Sequence, residues 1–329
     1  MTDNTTPADE PLQAIEALAD KEPSKPPRSR AKDVWDQFRK HKGATFGLGF
    51  LIFITLAVMI GPMLYDVDPQ KPDIRNKNFR PIYVALWDAD AKTGWLKPLG
   101  SDQLGRDQLA QMLSGGRASM AVGWAAMVLS LFIGTAVGVA AGYFKRIDGL
   151  LMRTTDLFLA LPILPLLLLA VTLFRQPLTA SFGLEGGMFI LIVTMIAVTS
   201  WMPTARIVRG DILAIKEREF VLAARSIGTT RFKIIRRHLL PNVLSPIMVS
   251  AALGLATAII TESALSFLGV GFPSDFPTWG KMLADAVVRM EEFPERVLLP
   301  GIAISLTVLS VNYLGDGLRD ALDPRIRGR

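Results

Sequence analysis

Few residues in this 329-residue chain could do chemistry. It has no cysteine, so neither a disulfide framework nor a thiolate metal site can form. Its two histidines, His41 and His238, lie beside basic residues and offer no nucleophile–base or metal constellation. The one Gly-Lys pair, Gly280–Lys281, precedes Met282 rather than Ser or Thr, so there is no P-loop to cradle nucleotide phosphates. Two features remain. Glu262 is a carboxylate closing an apolar run, and Glu217–Asn242 (EREFVLAARSIGTTRFKIIRRHLLPN) is a basic stretch between apolar runs. A carboxylate there suits a contact to a cationic substrate group, an outer gate, or a structural role near the interface. A basic amphipathic helix suits docking, on anionic lipid or on a protein.

The elements around these residues set the class. Mean hydropathy is +0.34 with 50% hydrophobic residues. Six almost charge-free runs approach the roughly 20 residues needed to cross about 30 Å of hydrocarbon. They are Gly43–Tyr65, Ala118–Phe144, Leu157–Phe174, Gly186–Ala205, Leu239–Thr261 and Val297–Gly315. The fold class expected is an all-α polytopic membrane protein of about six transmembrane helices in a lipid bilayer.

The net charge of +6 would suggest nucleic acid in a soluble protein, but its placement excludes that partner. Cations cluster before the first run (Lys25 to Lys42), between the second and third (Lys145, Arg146, Arg153), from Arg206 to Arg237, and after the last (Arg319, Arg325, Arg327, Arg329). The intervening connections, Arg175–Glu185 and Asp275–Arg296, are poor in cations or balanced by acids. This is the positive-inside pattern and places both termini in the cytoplasm. Residues 1–30, rich in Pro, Ser, Thr and charge, read as a disordered tail.

Each run carries further expectations. Pro69, Pro72, Pro81 and Pro98 argue against regular structure through the outer loop, where Trp87 and Trp95 suit the headgroup level. Gln103–Gly116 reads as a short helix on the outer surface. Gly134, Gly138 and Gly142 fall on one helical face and invite close packing within the chain. Pro162 and Pro165 predict a kink in the third run, Arg153 and Asp156 an i,i+3 ion pair, and Pro203 a bend ending the fourth. In the basic stretch, Glu219 complements a helix dipole, and Phe220, Ala223, Ala224 and Ile227 form one narrow apolar face. Gly228 ends that helix, and Thr229 or Thr230 caps a second one bearing Phe232, Ile235 and Leu239. The small alanine face and fixed exit favour insertion in a protein cleft over lipid anchoring. Pro241 marks the return to the membrane. About 30 Å of helix then separates it from Glu262, which favours the outer interface for that carboxylate. Beyond it, Ser266–Leu283 suits an outer re-entrant or surface segment, with Trp279 as an interface anchor. Asp316, Arg319, Asp320 and Arg325 suit a cytoplasmic ion-pair cap.

At this level of detail a family resemblance emerges. Ala223, Ala224, Arg225 and Gly228, with Pro241 thirteen residues after the glycine, resemble the EAA loop of ABC-importer permeases. PLGSDQLGRDQL (Pro98–Leu109), SFLGVGFPSDFPTWGKML (Ser266–Leu283) and NYLGDGLRDALDPR (Asn312–Arg325) resemble the C-type permease of the dipeptide/oligopeptide/nickel importers. The motif's naming Glu falls at Leu222, with Glu219 and Glu217 the nearest acids. The resemblance implies a type I ABC-importer permease fold with a coupling helix seated in a cytoplasmic ATPase through Glu219, Phe220, Ala223, Ala224, Arg225, Ile227, Gly228 and Pro241. It also implies a bacterial inner membrane location, a second homologous permease, two ATPase subunits or domains using ATP and Mg, and an extracytoplasmic binding protein. No cofactor is expected on this chain. Peptides are the default substrate, with Glu262, Ser266 and Phe267 at the pathway or outer gate. The chain then divides into a tail (1–34), a first helix with its lead-in (35–66), an outer loop (67–117), a permease core (118–318) containing the coupling loop 206–241, and a second tail (319–329). The alternative is an ion-gradient-driven secondary transporter, which would need midplane charges or paired broken helices.

Overall fold

The computed structural model describes residues 30–322 apart from positions 87, 89, 90 and 274. The expectations for residues 1–29, Trp87, Arg325, Arg327 and Arg329 lie outside the described residues. Those described form twelve α-helices and no strand. Lead-in helix α1 (Arg30–Lys40) precedes α2 (Lys42–Leu64), whose N-cap is His41, its Nδ1 accepting from Ala44 N at 3.0 Å. The outer loop follows, with 3₁₀ turns at Ile74–Asn76 and Ile82–Leu86. Lys97 clasps Asp73 at 3.0 Å and Arg106 clasps Asp102 at 2.6 Å, so the proline-rich loop is irregular but cross-linked.

Helix α3 (Gln108–Tyr143) is continuous for 36 residues, so the surface helix expected at Gln103–Gly116 does not exist as a separate element. The cap explains the start: Asp107 Oδ1 accepts from Ala110 N at 2.9 Å, and Tyr65 OH holds Oδ2 at 2.8 Å. The third run is corrected too. It is split between α4 (Lys145–Ala160) and α5 (Ile163–Phe182), because Leu161 turns extended before Pro162. The candidate span is therefore Ile163–Phe182, not Leu157–Phe174. Helices α6 (Leu184–Ser200) and α7 (Met202–Ile215) meet at 43°, with Pro203 in the first turn of α7, as its position predicts.

Short α8 (Glu219–Ser226) and α9 (Arg231–Ile234) lead through a π turn (Ile235–Leu239) and a 3₁₀ turn (Leu240–Asn242) into α10 (Leu244–Phe267). Helix α11 (Trp279–Val287) and the long α12 (Pro294–Leu322) complete the chain. Five single helices (α2, α3, α5, α10, α12) are long and apolar enough to span, six counting the bent pair. Helix α3 is central: 44% of its apolar window is buried, against 11% for α5, which leaves its outer side to lipid or another chain.

The glycine stripe fits the expected close packing. A Cβ on Gly134, Gly138 or Gly142 would lie 2.6 Å from Trp201 O, 2.7 Å from Ala205 O or 2.7 Å from Ile212 Cβ, so only glycine admits α7 along this face. Ion pairs tie α7 to α4 as well. Asp156 pairs with Arg206 rather than Arg153. Arg209 grips Asp148 through two bonds of 2.5 and 2.7 Å. Beside them at the same end of the bundle, Asp320 of the last helix faces His41 at 4.0 Å.

The Arg209 guanidinium holds the Asp148 carboxyl below the usual carboxylate range. A depressed folded value means the contribution is complete above the unfolded value of about 4 and is lost as pH falls through the folded one. Acidification from pH 5 to 3 is therefore expected to lower the melting temperature of the wild type more than that of Asp148→Asn. Differential scanning fluorimetry in detergent reads the difference.

Candidate functional site

The first candidate site is built on α7. Val208 and Ile212, fully buried, form one core with Val221, Ile234, Leu239 and Val243. Lys216, buried at 8% exposure, donates from Nζ to Gly142 O at 2.9 Å, fastening the loop to the end of α3. Helix α8 then starts with Glu219 in its first turn. Its termination is a complete Schellman motif: Thr229 N donates to Ala224 O at 3.1 Å and Gly228 N to Arg225 O at 3.0 Å, with Gly228 at φ +80°. Gly228 therefore ends the helix as its type predicts. Thr230 takes the N-cap position of α9 without a side-chain bond.

The face of α8 differs from the expected one. Val221 (0% exposed) and Ala224 (6%) point inward, so Ala224 belongs to the chain's own core, not to an outward docking face. Ala223 and Arg225 are exposed, and so are Phe220 (45%), Leu222 and Ile227 (82%). In the next segment Phe232 is exposed and Ile235 half-buried, while Ile234 and Leu239 are buried. Pro241 is exposed in the 3₁₀ turn, and α10 begins three residues beyond it rather than at Leu239. Phe220, Leu222, Ile227 and Phe232 are thus exposed apolar side chains in a segment that also carries Arg225 and Arg231, at the end of the bundle opposite the outer loop.

The other end holds Glu262. It is fully buried within the protein, about 27 Å along α10 and near its outer end. Ser266 Oγ bonds Oε1 at 2.7 Å, and the hydroxyls of Ser119, Thr278 and Ser263 surround the carboxyl, though Oε2 meets no donor at good geometry. Ser119 also accepts from Trp279 N at 3.3 Å, and Trp279 Nε1 donates to Met112 O at 3.0 Å. Trp279 is thus a buried strut between α3 and α11, not an interface anchor. Ser266 is buried beside Glu262, whereas Phe267 is 41% exposed.

Residues 117–328 match the family described as binding-protein-dependent transport system inner membrane component. The chain belongs to that family. Residues 29–81 also match the N-terminal TM domain of oligopeptide transport permease C. The oligopeptide transport system permease protein OppC of Bacillus subtilis (strain 168) is 35% identical over 305 residues, 92% of each chain. The dipeptide transport system permease protein DppC of the same organism is 36% identical over 305 residues, 92% of this chain and 88% of its own. The di/tripeptide transport system permease protein DppC of Pseudomonas aeruginosa (strain UCBPP-PA14) is 35% identical over 302 residues, 91% and 93% of the two. Membership makes this chain a multi-pass inner-membrane transport component and sets aside the ion-gradient alternative.

Within this permease, the structure gathers Glu219 to Gly228 on one short helix and its cap, and Glu262 with Ser266 at the other end. Sequence reasoning missed Lys216, Asp148 and Val221 at the first site, and Ser119 and Thr278 at the second. Lys216 carries no local signal, because its partner is a carbonyl 74 residues away. Ser119 and Thr278 are ordinary hydroxyls until α3 and α11 meet.

Proposed function

We propose that the chain is the permease subunit of an ATP-driven importer of short peptides. It forms half of a translocation pathway with a second homologous permease, and both its termini face the cytoplasm. The α8–α9 surface docks on a separate ATPase that uses ATP and Mg, and an extracytoplasmic binding protein delivers substrate to the opposite end. The carrying observation is the pairing of peptide-permease relatives with an exposed apolar surface at the cation-rich end of the bundle. Phe220 and Ile227 project from a helix whose inner face is already committed to the core, so they are free to enter a partner's groove.

Burying each of those side chains in a partner contributes about 1.5–3 kcal/mol. The double variant Phe220→Ala/Ile227→Ala is expected to lose the ATPase from the purified complex while inserting normally. Affinity purification through the permease, followed by size-exclusion chromatography, reads this directly. Full retention of the ATPase, with membrane attachment of the loop weakened instead, would assign the surface to lipid.

A further inference from the structure

At the outer-loop end, where α3 meets the start of α6, lies a pocket of about 450 Å³. Arg117 and Glu185 line it together with Ser114, Phe189, Phe272 and Phe276. Both charged side chains are exposed, and neither forms an ion pair with the other or with any described residue. The two loop phenylalanines stack at 4.9 Å and give the same pocket an apolar wall. Ala121 also lines a second groove of about 670 Å³, whose wall runs down the same side of α3 through Trp124, Val128 and Phe132. Arg117, Ala121, Trp124, Val128 and Phe132 recur every three or four residues, so one uncovered helix face leads from the charged pocket toward the middle of the bundle.

A cation and an anion kept apart over aromatic surface complement a ligand with opposite charges at its two ends. Resting on the peptide-importer reading, we propose that this pocket is a transit site for short peptides with free termini. Arg117 takes the terminal carboxylate, which its fork of donors fits, and Glu185 takes the terminal ammonium. The phenylalanines receive side chains without selecting among them. Glu262 contributes at one remove: its hydroxyl cluster holds Thr278, the residue that ends the loop carrying Phe272 and Phe276.

The test is equilibrium binding of radiolabelled trialanine to the reconstituted permease–ATPase complex without binding protein, in phosphatidylglycerol nanodiscs. Trialanine amide and N-acetyltrialanine serve as competitors. The wild-type complex is expected to prefer trialanine over each derivative by about tenfold. Arg117→Gln is expected to bind trialanine and its amide alike, Glu185→Gln to bind trialanine and N-acetyltrialanine alike, and Arg117→Lys to retain the preference for a free carboxylate. No trialanine bound by the wild type, or an equal loss for all three peptides in both variants, overturns the proposal. A phosphatidylethanolamine headgroup carries the same pair of charges. If Arg117→Gln changes binding of that lipid to the complex and not of trialanine, the site belongs to lipid and the proposal falls. ATP-driven trialanine uptake by the complete system tests the parent reading separately: uptake without site binding removes only this inference.

Discussion

Gly228→Val is expected to reduce ATP-driven uptake by at least about tenfold while leaving membrane insertion intact. A Cβ at position 228 would meet nothing within 4 Å, so the substitution tests backbone conformation rather than space. The backbone stands at φ +80°, which costs a β-branched residue about 1–3 kcal/mol. Helix α8 has eight residues and is far too short to persist alone in water. Its closing bonds, Thr229 N to Ala224 O and Gly228 N to Arg225 O, depend on that conformation. Losing them frays the last turn and frees Ile227, one of the two side chains proposed to dock on the ATPase. Asn visits the left-handed region readily, so Gly228→Asn is expected to retain most uptake. Uptake assays in vesicles with matched permease content read both variants. Normal uptake by the valine variant would sink the coupling role of α8.

The second large effect is structural. Gly138→Leu is expected to prevent recovery of folded protein, and Gly138→Ala to lower stability by about 1–3 kcal/mol. Ala205 O and Val208 Cβ lie 2.7 and 2.8 Å from the position a Cβ would take. A backbone carbonyl cannot rotate away as a side chain can, so α7 as a whole must move. Gly134 and Gly142 would oppose that movement with contacts of the same kind one turn either side. Gly149→Leu, on exposed α4 with nothing within 4 Å, is the matched control and is expected to fold. Yield of monodisperse protein in detergent, with its melting temperature, separates the two. A well-folded Gly138→Leu protein would show that the contact between α3 and α7 is not close in the assembled complex.

What could be read from the chain divides along the range of the interactions. The spans were legible because transfer from water to hydrocarbon acts on each run by itself. Gly134, Gly138 and Gly142 were legible because their spacing carries a helical face within it, and Gly228 because a helix end is a local event. The break at Leu161 was hidden inside one continuous apolar run, since hydropathy records composition and not chain direction. Asp156 was assigned to its neighbour Arg153, yet the fold brings Arg206, fifty residues away, against it. On α8 the sequence reads Phe220, Ala223, Ala224 and Ile227 as one outward docking face. The core formed by α7 and the chain leading into α10 turns Val221 and Ala224 inward instead. Trp279 looked like an interface anchor for the same reason: its type is visible in sequence, but the carbonyl of Met112 that it bonds is not.

Helix α3 runs unbroken from the outer loop, close to Arg117, to Gly142, whose carbonyl Lys216 holds. Its 36 residues make a rod about 54 Å long, without an internal proline to absorb bending. A stiff beam of that length works as a seesaw. Tilting it by about 5° around its midpoint carries the two ends about 2 Å in opposite directions. Any such tilt would bring the helix closer to its neighbours on one side of the membrane while drawing it away on the other.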